Sequence, residues 1–265
     1  MVRPIIAFLT DFGTRDHYAG VLKGVVLSLL ADVTLVDISH DLPAHDVPFA
    51  ALELAATYKY FPAGTIFLVV VDPGVGTARR GIAAEVGDFR FVAPDNGVLT
   101  AVFQEMAPKR VVELTERRFA RPTVSRTFEG RDRFAPAAAH IAKGIQLPAL
   151  GRAITDFHML DLPRPHVDGV VLRGVIVRID RFGNVVTNLD RKSCERLTGG
   201  AGGGLQLTVG GRSIGKLVTT YSDIAAGEIG ALFGSTDHLE CAAQAASAAE
   251  VLGVKVGDPV ELRRV

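Results

Sequence analysis

The sequence of 265 residues predicts two domains: an N-terminal α/β domain with a mostly parallel layered sheet, and a small all-β, barrel-like C-terminal domain. Two observations support this prediction. Over the first part of the chain, apolar runs alternate with segments of helical period, which is the rhythm of βαβ units. After Gly169 the pattern changes to β-branched runs separated by glycine turns, which is typical of short antiparallel strands.

The N-terminal part contains four apolar runs that predict strands, at residues 5–9, 34–38, 65–71 and 89–93. The third run has no alternation, as expected of a strand covered on both faces. Segments of helical period predict helices at residues 19–30, 47–60 and 133–142. Residues 81–86 and 89–92 flank a Gly-Asp turn and predict a hairpin, so we expect the sheet to be mixed.

A proline-rich, aperiodic segment at residues 147–169 is typical of an interdomain linker, and we place the boundary near Asp161. The domains are therefore residues 1–160 and 161–265. Strands are predicted in the second domain at residues 170–180, 185–189, 205–209, 213–218 and 259–263. Gly210 and Gly211 suit a two-residue hairpin turn, and the glycine run at 199–204 predicts a flexible loop.

Composition argues against several classes of partner. The 29 basic and 29 acidic residues cancel, so no net charge attracts nucleic acid or an anionic membrane. The two cysteines lack CxxC spacing, which favours a reducing compartment. No apolar run has the length of a signal-peptide core or a membrane span. We therefore expect a cytoplasmic protein with a small-molecule partner.

The most informative segment is V-V-V-D-P-G-V-G-T-A-R-R, in which an apolar run ends on Asp72 and enters a turn. The carboxyl ends of parallel strands form the ligand crevices of open α/β sheets. Arg79 follows seven residues later, within folding-back distance of Asp72. A structural ion pair is the alternative, and this segment alone favours it.

Further polar residues have both a functional and a structural interpretation. Asp11 follows the first predicted strand, where an acid can accept ribose hydroxyls or cap the next helix. Asp16 can bind an ammonium group or cap that same helix. Glu129 could reach into a crevice, although exposure is the default for glutamate. Asp132 is predicted to cap the helix that begins near Phe134.

In the second domain, Phe182 offers a stacking face, and Asn184 offers a donor and an acceptor to an adenine edge. A hairpin turn explains Gly183 and Asn184 equally well. His40 and His45 lie near several aspartates, but their loop spacing argues against a zinc site. The chain lacks a P-loop, a nucleophile elbow and a well-placed dinucleotide fingerprint.

Five ordered segments together resemble one family: T-D-F-G-T-R-D-H-Y-A-G, V-D-P-G-V-G-T-A-R-R, A-P-D-N-G-V-L-T, F-E-G-R-D-R-F-A-P and I-D-R-F-G-N-V-V-T-N. The chain resembles the S-adenosyl-L-methionine (SAM) hydroxide adenosyltransferases, the hydrolytic branch of the superfamily that includes the bacterial fluorinase and chlorinase. The resemblance runs nearly end to end. It implies an α/β domain, a β-barrel, and a homotrimer with each site between the N-domain of one subunit and the C-domain of the next.

The resemblance also implies a reaction, the hydrolysis of SAM to adenosine and L-methionine by in-line attack of water or hydroxide at ribose C5'. A sulfonium leaves as a neutral thioether, so we expect neither a metal nor another cofactor. By resemblance, Asp72 and Arg79 position and polarise the attacking water. The implied substrate-binding residues are Asp11 for the ribose, Asp16 and Asp180 for the methionine ammonium, Phe182 and Asn184 for adenine, Phe128 near the reacting carbon, and Ser235 for the methionine carboxylate.

Two positions depart from the family pattern. Glu129 stands where these hydrolases carry histidine, and glutamate is the weaker base at neutral pH unless burial raises its pKa. Activity could thus be retained, slowed or redirected, and a SAM-binding protein without turnover is the alternative. The segment at residues 233–237 lacks the usual Asn-Ser pair. Halogenation is less favoured because halogenases carry an uncharged aromatic in place of Asp72, and a metal-dependent hydrolase using Asp72, Asp95 and the His40 region is a third alternative.

Overall fold

The computed structural model describes residues 3–198, 205–215 and 217–264. The chain divides into two compact units, Met1–Leu162 and Pro163–Val265. The predicted loop at residues 199–204 lies outside the described residues. In the part of the chain that the structure describes, no helix is both long enough and apolar enough to cross a membrane.

A mixed sheet forms the centre of the first unit, in the order β2-β1-β3-β5-β4-β6-β7. Its strands are β1 (Ile5–Thr10), β2 (Thr34–Ser39), β3 (Ile66–Val70), β4 (Gly81–Val86), β5 (Phe89–Pro94), β6 (Arg110–Leu114) and β7 (Gly151–Ala153). Strands β2, β1, β3 and β5 pair in parallel, and β5, β4, β6 and β7 pair antiparallel. The predicted hairpin and the mixed sheet are confirmed. More of the sheet is antiparallel than the sequence predicts, because β6 and β7 extend it beyond the hairpin.

Both faces of this sheet are covered by helices. The helices of the first unit are α1 (Tyr18–Leu29), α2 (Val47–Thr57), α3 (Thr100–Glu105) and α4 (Ala135–Ala142). Successive strand side chains point to opposite faces. Phe67 and Leu9 accordingly pack with Leu54 of α2, whereas Leu68 packs on the other face with Leu22 of α1. Every residue of β3 is buried, as predicted for this unalternating run.

Helix α2 begins with a side-chain cap. Asp46 Oδ1 accepts a hydrogen bond from the main-chain N–H of Phe49 at 2.9 Å, and Pro48 lies in the first turn, where its missing N–H has no cost. The predicted helix at residues 47–60 is observed as α2 followed by the 3-10 turn Tyr58–Tyr60.

Replacing Asp46 with alanine should lower the free energy of unfolding by about 1 kcal/mol, because it removes the acceptor for a main-chain N–H at the start of α2. Urea denaturation followed by circular dichroism measures the change. Asp32→Ala is the matched control, because Asp32 forms an exposed ion pair with Arg3 and such pairs contribute little. Equal losses in both variants would contradict the capping role.

An antiparallel sheet in the order β12-β11-β15-β9-β10-β14-β13 forms the second unit, with β8 beside β9. Its strands are β8 (His166–Asp168), β9 (Val171–Ile179), β10 (Val185–Asp190), β11 (Leu205–Val209), β12 (Arg212–Ile214), β13 (Ile229–Phe233), β14 (His238–Ala243) and β15 (Pro259–Arg264), accompanied by α5 (Arg191–Thr198) and α6 (Ala248–Leu252). A bridge between Leu217 and Ala231 links the chain after β12 to β13. The sheet is therefore nearly closed, and the barrel-like fold is confirmed.

Local predictions in this unit have mixed outcomes. The Gly210–Gly211 turn is confirmed, because both glycines have positive φ and Val209 pairs with Arg212. The predicted strand at residues 213–218 is too long, since β12 ends at Ile214 and the N–H of Val218 instead donates to the carbonyl of Ala231.

Candidate active site

The turn after β3 brings Asp72 and Arg79 into contact. The N–H of Val75 donates to the carbonyl of Asp72, and the N–H of Thr77 donates to the carbonyl of Gly74. This turn directs the chain back towards the end of the strand. Arg79 Nη2 donates a hydrogen bond to Asp72 Oδ2, and the two side chains are 7% and 6% exposed. The folding-back that the spacing suggested therefore produces a buried ion pair.

Glu129 joins this pair from a distant part of the sequence. Its Oε2 lies 2.9 Å from the same Nη2 of Arg79, in an orientation that does not satisfy hydrogen-bond geometry. The Glu129 side chain is 12% exposed. The Arg79 guanidinium is further held by a hydrogen bond from Nη1 to the carbonyl of Arg80 and lies 5.3 Å from the centre of the Phe134 ring. One buried cation is thus shared by two buried carboxylates.

Each residue of this trio, which we define as Asp72, Arg79 and Glu129, also has a polar atom without a hydrogen-bond partner in the described part of the chain. Asp72 Oδ1, Arg79 Nε and Glu129 Oε2 are buried without a hydrogen-bond partner among the described residues. Asp72 and Glu129 line a cavity of about 370 Å³, together with Asp11 and Phe128. Since buried polar atoms are normally paired, unpaired ones at a cavity indicate a place for a polar ligand or a reacting group.

Burial raises the pKa of Asp72 above its ordinary value and outweighs the opposing effect of Arg79, and the nearby Glu129 carboxylate raises it further. A carboxylate with a raised pKa is a better proton acceptor than an ordinary aspartate. The trio can therefore orient a small polar molecule and accept a proton from it.

The segment that carries Phe128 and Glu129 is anchored by Asp132. The prediction that Asp132 caps a helix is wrong, because it lies inside the π-helical turn Gly130–Phe134 and is fully buried. Its carboxylate accepts two hydrogen bonds from Arg131, at 2.7 and 2.8 Å, and one from the N–H of Ser125 at 2.8 Å. These bonds fix the loop next to the cavity, and π-helical turns are frequent at functional sites.

Asp11 lies at the end of β1 and is bound to the loop that follows β2. Its Oδ2 accepts a hydrogen bond from the N–H of His45 at 2.8 Å, so it does not cap α1. His17 is the N-cap residue of α1, and its side chain makes no capping hydrogen bond. Asp16 is exposed directly before that helix. The capping interpretation of both aspartates is therefore wrong, and Asp11 is free to present an oxygen to the cavity.

Three aromatic rings form the apolar wall of the cavity. Phe12, Tyr18 and Phe128 all line it, and their ring centres lie 5.2–5.9 Å apart in tilted or edge-on arrangements. Only Phe128 was singled out from the sequence. The signal that could have indicated the other two is their position beside Asp11 and Asp16.

The residues of the metal-dependent alternative have other partners. Asp95 accepts hydrogen bonds from Arg80 and from the N–H of His158. The Nδ1 of His40 lies 2.8 Å from Thr10 Oγ1, and its Nε2 lies 3.0 Å from Asp37. These contacts provide a structural role for each residue.

The second unit contains a larger open cavity, of about 800 Å³, at the turn between β9 and β10. The predicted residues Asp180, Phe182, Asn184 and Ser235 all line it. Asp180 Oδ1 accepts hydrogen bonds from the N–H groups of Phe182 and Asn184, and Asn184 Nδ2 donates to Asp180 Oδ2. The structural interpretation of this turn is thus correct, and its consequence is to hold the Phe182 ring 78% exposed at the cavity.

Tyr221 is a cavity residue that the sequence analysis missed. Its ring lines the same cavity as Phe182, and its hydroxyl donates a hydrogen bond to the buried Glu240. This hydrogen bond, together with burial, raises the pKa of Tyr221 to about 12. Two aromatic residues therefore line this cavity, which suits a site for a flat ring.

Comparison with known proteins identifies the chain's relatives. Residues 6–151 match the SAM hydroxide adenosyltransferase N-terminal domain, and residues 174–261 match the C-terminal domain of the same family. The chain belongs to the SAM hydroxide adenosyltransferase family. This family member is 38% identical to the (R)-S-adenosyl-L-methionine hydrolase of Thermus thermophilus, over 98% of this chain and 100% of that protein.

The family member also resembles a halogenating enzyme and a solved structure. It is 32% identical to the fluorinase of Actinoplanes sp., over 96% of this chain and 95% of the relative. The crystal structure of an uncharacterized conserved protein from Thermotoga maritima superimposes with a TM-score of 0.92 at 35% identity, covering 98% of this chain and 100% of the other. Since both hydrolases and fluorinases are relatives, the choice between the two reactions depends on the site's own residues.

Proposed function

We propose that this protein is an enzyme that hydrolyses SAM to adenosine and L-methionine. The observation that carries the proposal is the buried trio of Asp72, Arg79 and Glu129, in which each residue has a polar atom without a hydrogen-bond partner among the described residues and the two acids line a cavity. The similarity of the chain to a protein named (R)-S-adenosyl-L-methionine hydrolase supports the same reaction.

The reaction needs little from the protein beyond positioning and proton transfer. A water oxygen bonds to ribose C5' as the C5'–S bond breaks, and the electron pair of that bond stays on sulfur as a neutral thioether. One proton of the water must be lost, first to a protein acceptor and then to solvent. Holding the oxygen in line and accepting its proton are effects that accelerate reactions substantially.

The trio can supply both effects. Asp72 Oδ1 is the unpartnered acceptor for the water proton, and its raised pKa suits that task. Arg79 Nε is an unpartnered donor that can polarise the water oxygen while the proton passes to Asp72. Glu129, whose Oε2 lies 2.9 Å from the same Nη2 that contacts Asp72, helps to hold the guanidinium and is a second proton acceptor.

The remaining residues are assigned to the substrate. In the first unit, Asp11 binds the ribose hydroxyls, Asp16 the methionine ammonium, and Phe128 lies near the reacting carbon. In the second unit, Phe182 and Asn184 bind adenine, whereas Asp180 and Ser235 bind the methionine part. What supports these assignments is that, apart from Asp16, all of these side chains line the two cavities.

The charge of the trio favours water over halide. Two buried carboxylates surround a single guanidinium, so the trio carries a net negative charge when both acids are ionised. A halide ion would be repelled from this place, whereas water would not. Hydrolysis is therefore the better supported reaction, even though fluorinases are relatives.

We further propose that the enzyme works without a metal or other cofactor, as a cytoplasmic homotrimer. The family resemblance supports the trimer, and the two cysteines, which lack CxxC spacing, support a reducing compartment. Multi-angle light scattering of the purified protein tests the assembly. A mass three times that of the chain is expected, and a monomer would contradict it.

Incubating the purified protein with SAM, EDTA and no added halide should yield adenosine and L-methionine in equal amounts. Chromatography measures both products. In water enriched in ¹⁸O, the label should enter the 5'-hydroxyl of adenosine, because the attack is at C5'. Bound SAM without product would indicate a binding protein. Activity that EDTA abolishes and a divalent metal restores would indicate a metal-dependent hydrolase instead.

A further inference from the structure

We propose that His45 binds the ribose of the substrate beside Asp11 and makes the enzyme selective for ribose hydroxyls. This inference rests on the proposed function and assigns a role to a residue that the mechanism does not use and that the sequence analysis considered only for a zinc site. It concerns binding selectivity, and the proton transfer stays with the trio.

The backbone of His45 is held in an unusual conformation. Its φ is 67°, a left-handed value that is uncommon outside glycine, asparagine and aspartate. The surrounding bonds maintain it: the N–H of His45 donates to Asp11 Oδ2 at 2.8 Å, and its carbonyl accepts from the N–H of Val47 at 3.1 Å. Strained backbone of this kind is concentrated at ligand sites.

This conformation places the imidazole at the cavity. His45 lines the same cavity as Asp11, Asp72 and Phe128, and its side chain is 75% exposed. The Nδ1 atom lies 4.0 Å from Asp11 Oδ2, too far for a direct hydrogen bond. An oxygen atom about 2.8 Å from both atoms would bridge them at an angle of about 90°, which suits one hydroxyl group.

A hydroxyl needs both kinds of partner, and Asp11 alone provides only one. An ionised carboxylate accepts hydrogen bonds and cannot donate, whereas a hydroxyl both donates and accepts. Asp11 Oδ2 already accepts from the main-chain N–H of His45. A ribose hydroxyl that donates to Asp11 can therefore accept from the imidazole of His45. Asp11 and His45 together satisfy both hydrogen-bonding needs of the hydroxyl. A deoxyribose, which lacks that hydroxyl, would leave both side chains without this partner.

The test compares the nucleoside selectivity of the wild-type protein with that of His45→Gly. Glycine adopts positive φ without strain, so this variant removes the imidazole and keeps the backbone bond to Asp11. Isothermal titration calorimetry gives the dissociation constants of adenosine and 2',3'-dideoxyadenosine for both proteins. His45→Asn is a second variant, because asparagine tolerates the same φ and carries a shorter donor.

The wild-type protein should bind adenosine more tightly than the dideoxy compound, and His45→Gly should reduce that preference about 5- to 10-fold. The affinity for the dideoxy compound should change little. An unchanged preference, or an equal loss for both nucleosides, would overturn the role of His45 while SAM hydrolysis remained intact. If the wild-type protein neither bound adenosine nor hydrolysed SAM, the proposed function itself would fail.

Discussion

Replacing Asp72 with asparagine should lower kcat for SAM hydrolysis by about 10²- to 10³-fold, with less than about a threefold change in the dissociation constant for SAM. Asparagine has nearly the same shape and can still accept the hydrogen bond from Arg79 Nη2. It cannot take a proton from water through the atom that replaces Oδ1. The loss therefore falls on the chemical step and not on binding.

The same substitution distinguishes a catalytic acid from a structural one by its effect on stability. Burial raises the pKa of Asp72 in the folded protein above its value in the unfolded chain. Protonated Asp72 therefore contributes fully to the free energy of unfolding at pH values below the unfolded-state pKa. This contribution is lost as pH rises through the folded pKa, so at neutral pH the ionised carboxylate opposes folding. Asp72→Asn should then be at least as stable as the wild type at neutral pH, whereas removal of a purely structural ion pair would destabilise the protein.

Single-turnover kinetics, binding of SAM and urea denaturation at neutral pH together measure these effects. Glu85→Gln is the matched control, since Glu85 pairs with Arg90 at 3.1 Å on the same sheet. That control should retain wild-type kcat. Unchanged turnover in Asp72→Asn would refute the role of Asp72 in water activation.

The parts of the fold that the sequence predicted are those with a strong local pattern. Residues 65–71 have no alternation and became the wholly buried β3, and the Gly-Asp turn gave the hairpin of β4 and β5. Strands β6, β13 and β14 were missed, as were β7 and β8, which have only three residues each, and Gly230 interrupts β13. Their pairing with other strands stabilises them, and local propensity does not show such pairing.

The residues of the candidate site likewise divide into those whose contacts the local sequence predicts and those whose contacts depend on distant parts of the chain. Asp72 and Arg79 are seven residues apart, and one turn brings them together, so their contact could be foreseen. Glu129 reaches Arg79 only because the π-helical turn and the anchor at Asp132 direct its loop there. Resemblance to the family indicated Glu129, whereas spacing could not. Tyr221 and His45 were assigned no role because their positions depend on a buried partner and on a left-handed backbone conformation, respectively.

Replacing Glu129 with glutamine should lower kcat about 10- to 100-fold and move the acid limb of the pH profile to lower pH. The lower rate follows from the loss of a second proton acceptor beside Arg79. The shift has a separate cause. The Glu129 carboxylate contributes to the raised pKa of Asp72, so its neutralisation lets that pKa fall.

The sign of the shift can be checked from kcat/KM measured against pH, which reports the groups of the free enzyme. Activity requires ionised Asp72, so it is lost as pH falls through the folded-state pKa. In the wild type this pKa lies above the ordinary 3.8, and in Glu129→Gln the loss should occur at lower pH.

Glu129→His restores the residue that the hydrolases of this family carry and is the matched comparison. Histidine can accept a proton at neutral pH, so at that pH Glu129→His should keep turnover above that of Glu129→Gln. An unperturbed imidazole becomes positively charged below about pH 6.5, so the acid limb is compared between the wild type and Glu129→Gln, whose side chain stays neutral. If these two proteins lost activity at the same pH, the coupling between Glu129 and Asp72 would be wrong. A limb displaced to lower pH in Glu129→Gln would show that the second carboxylate tunes the first, because this substitution removes the negative charge and keeps nearly the same shape.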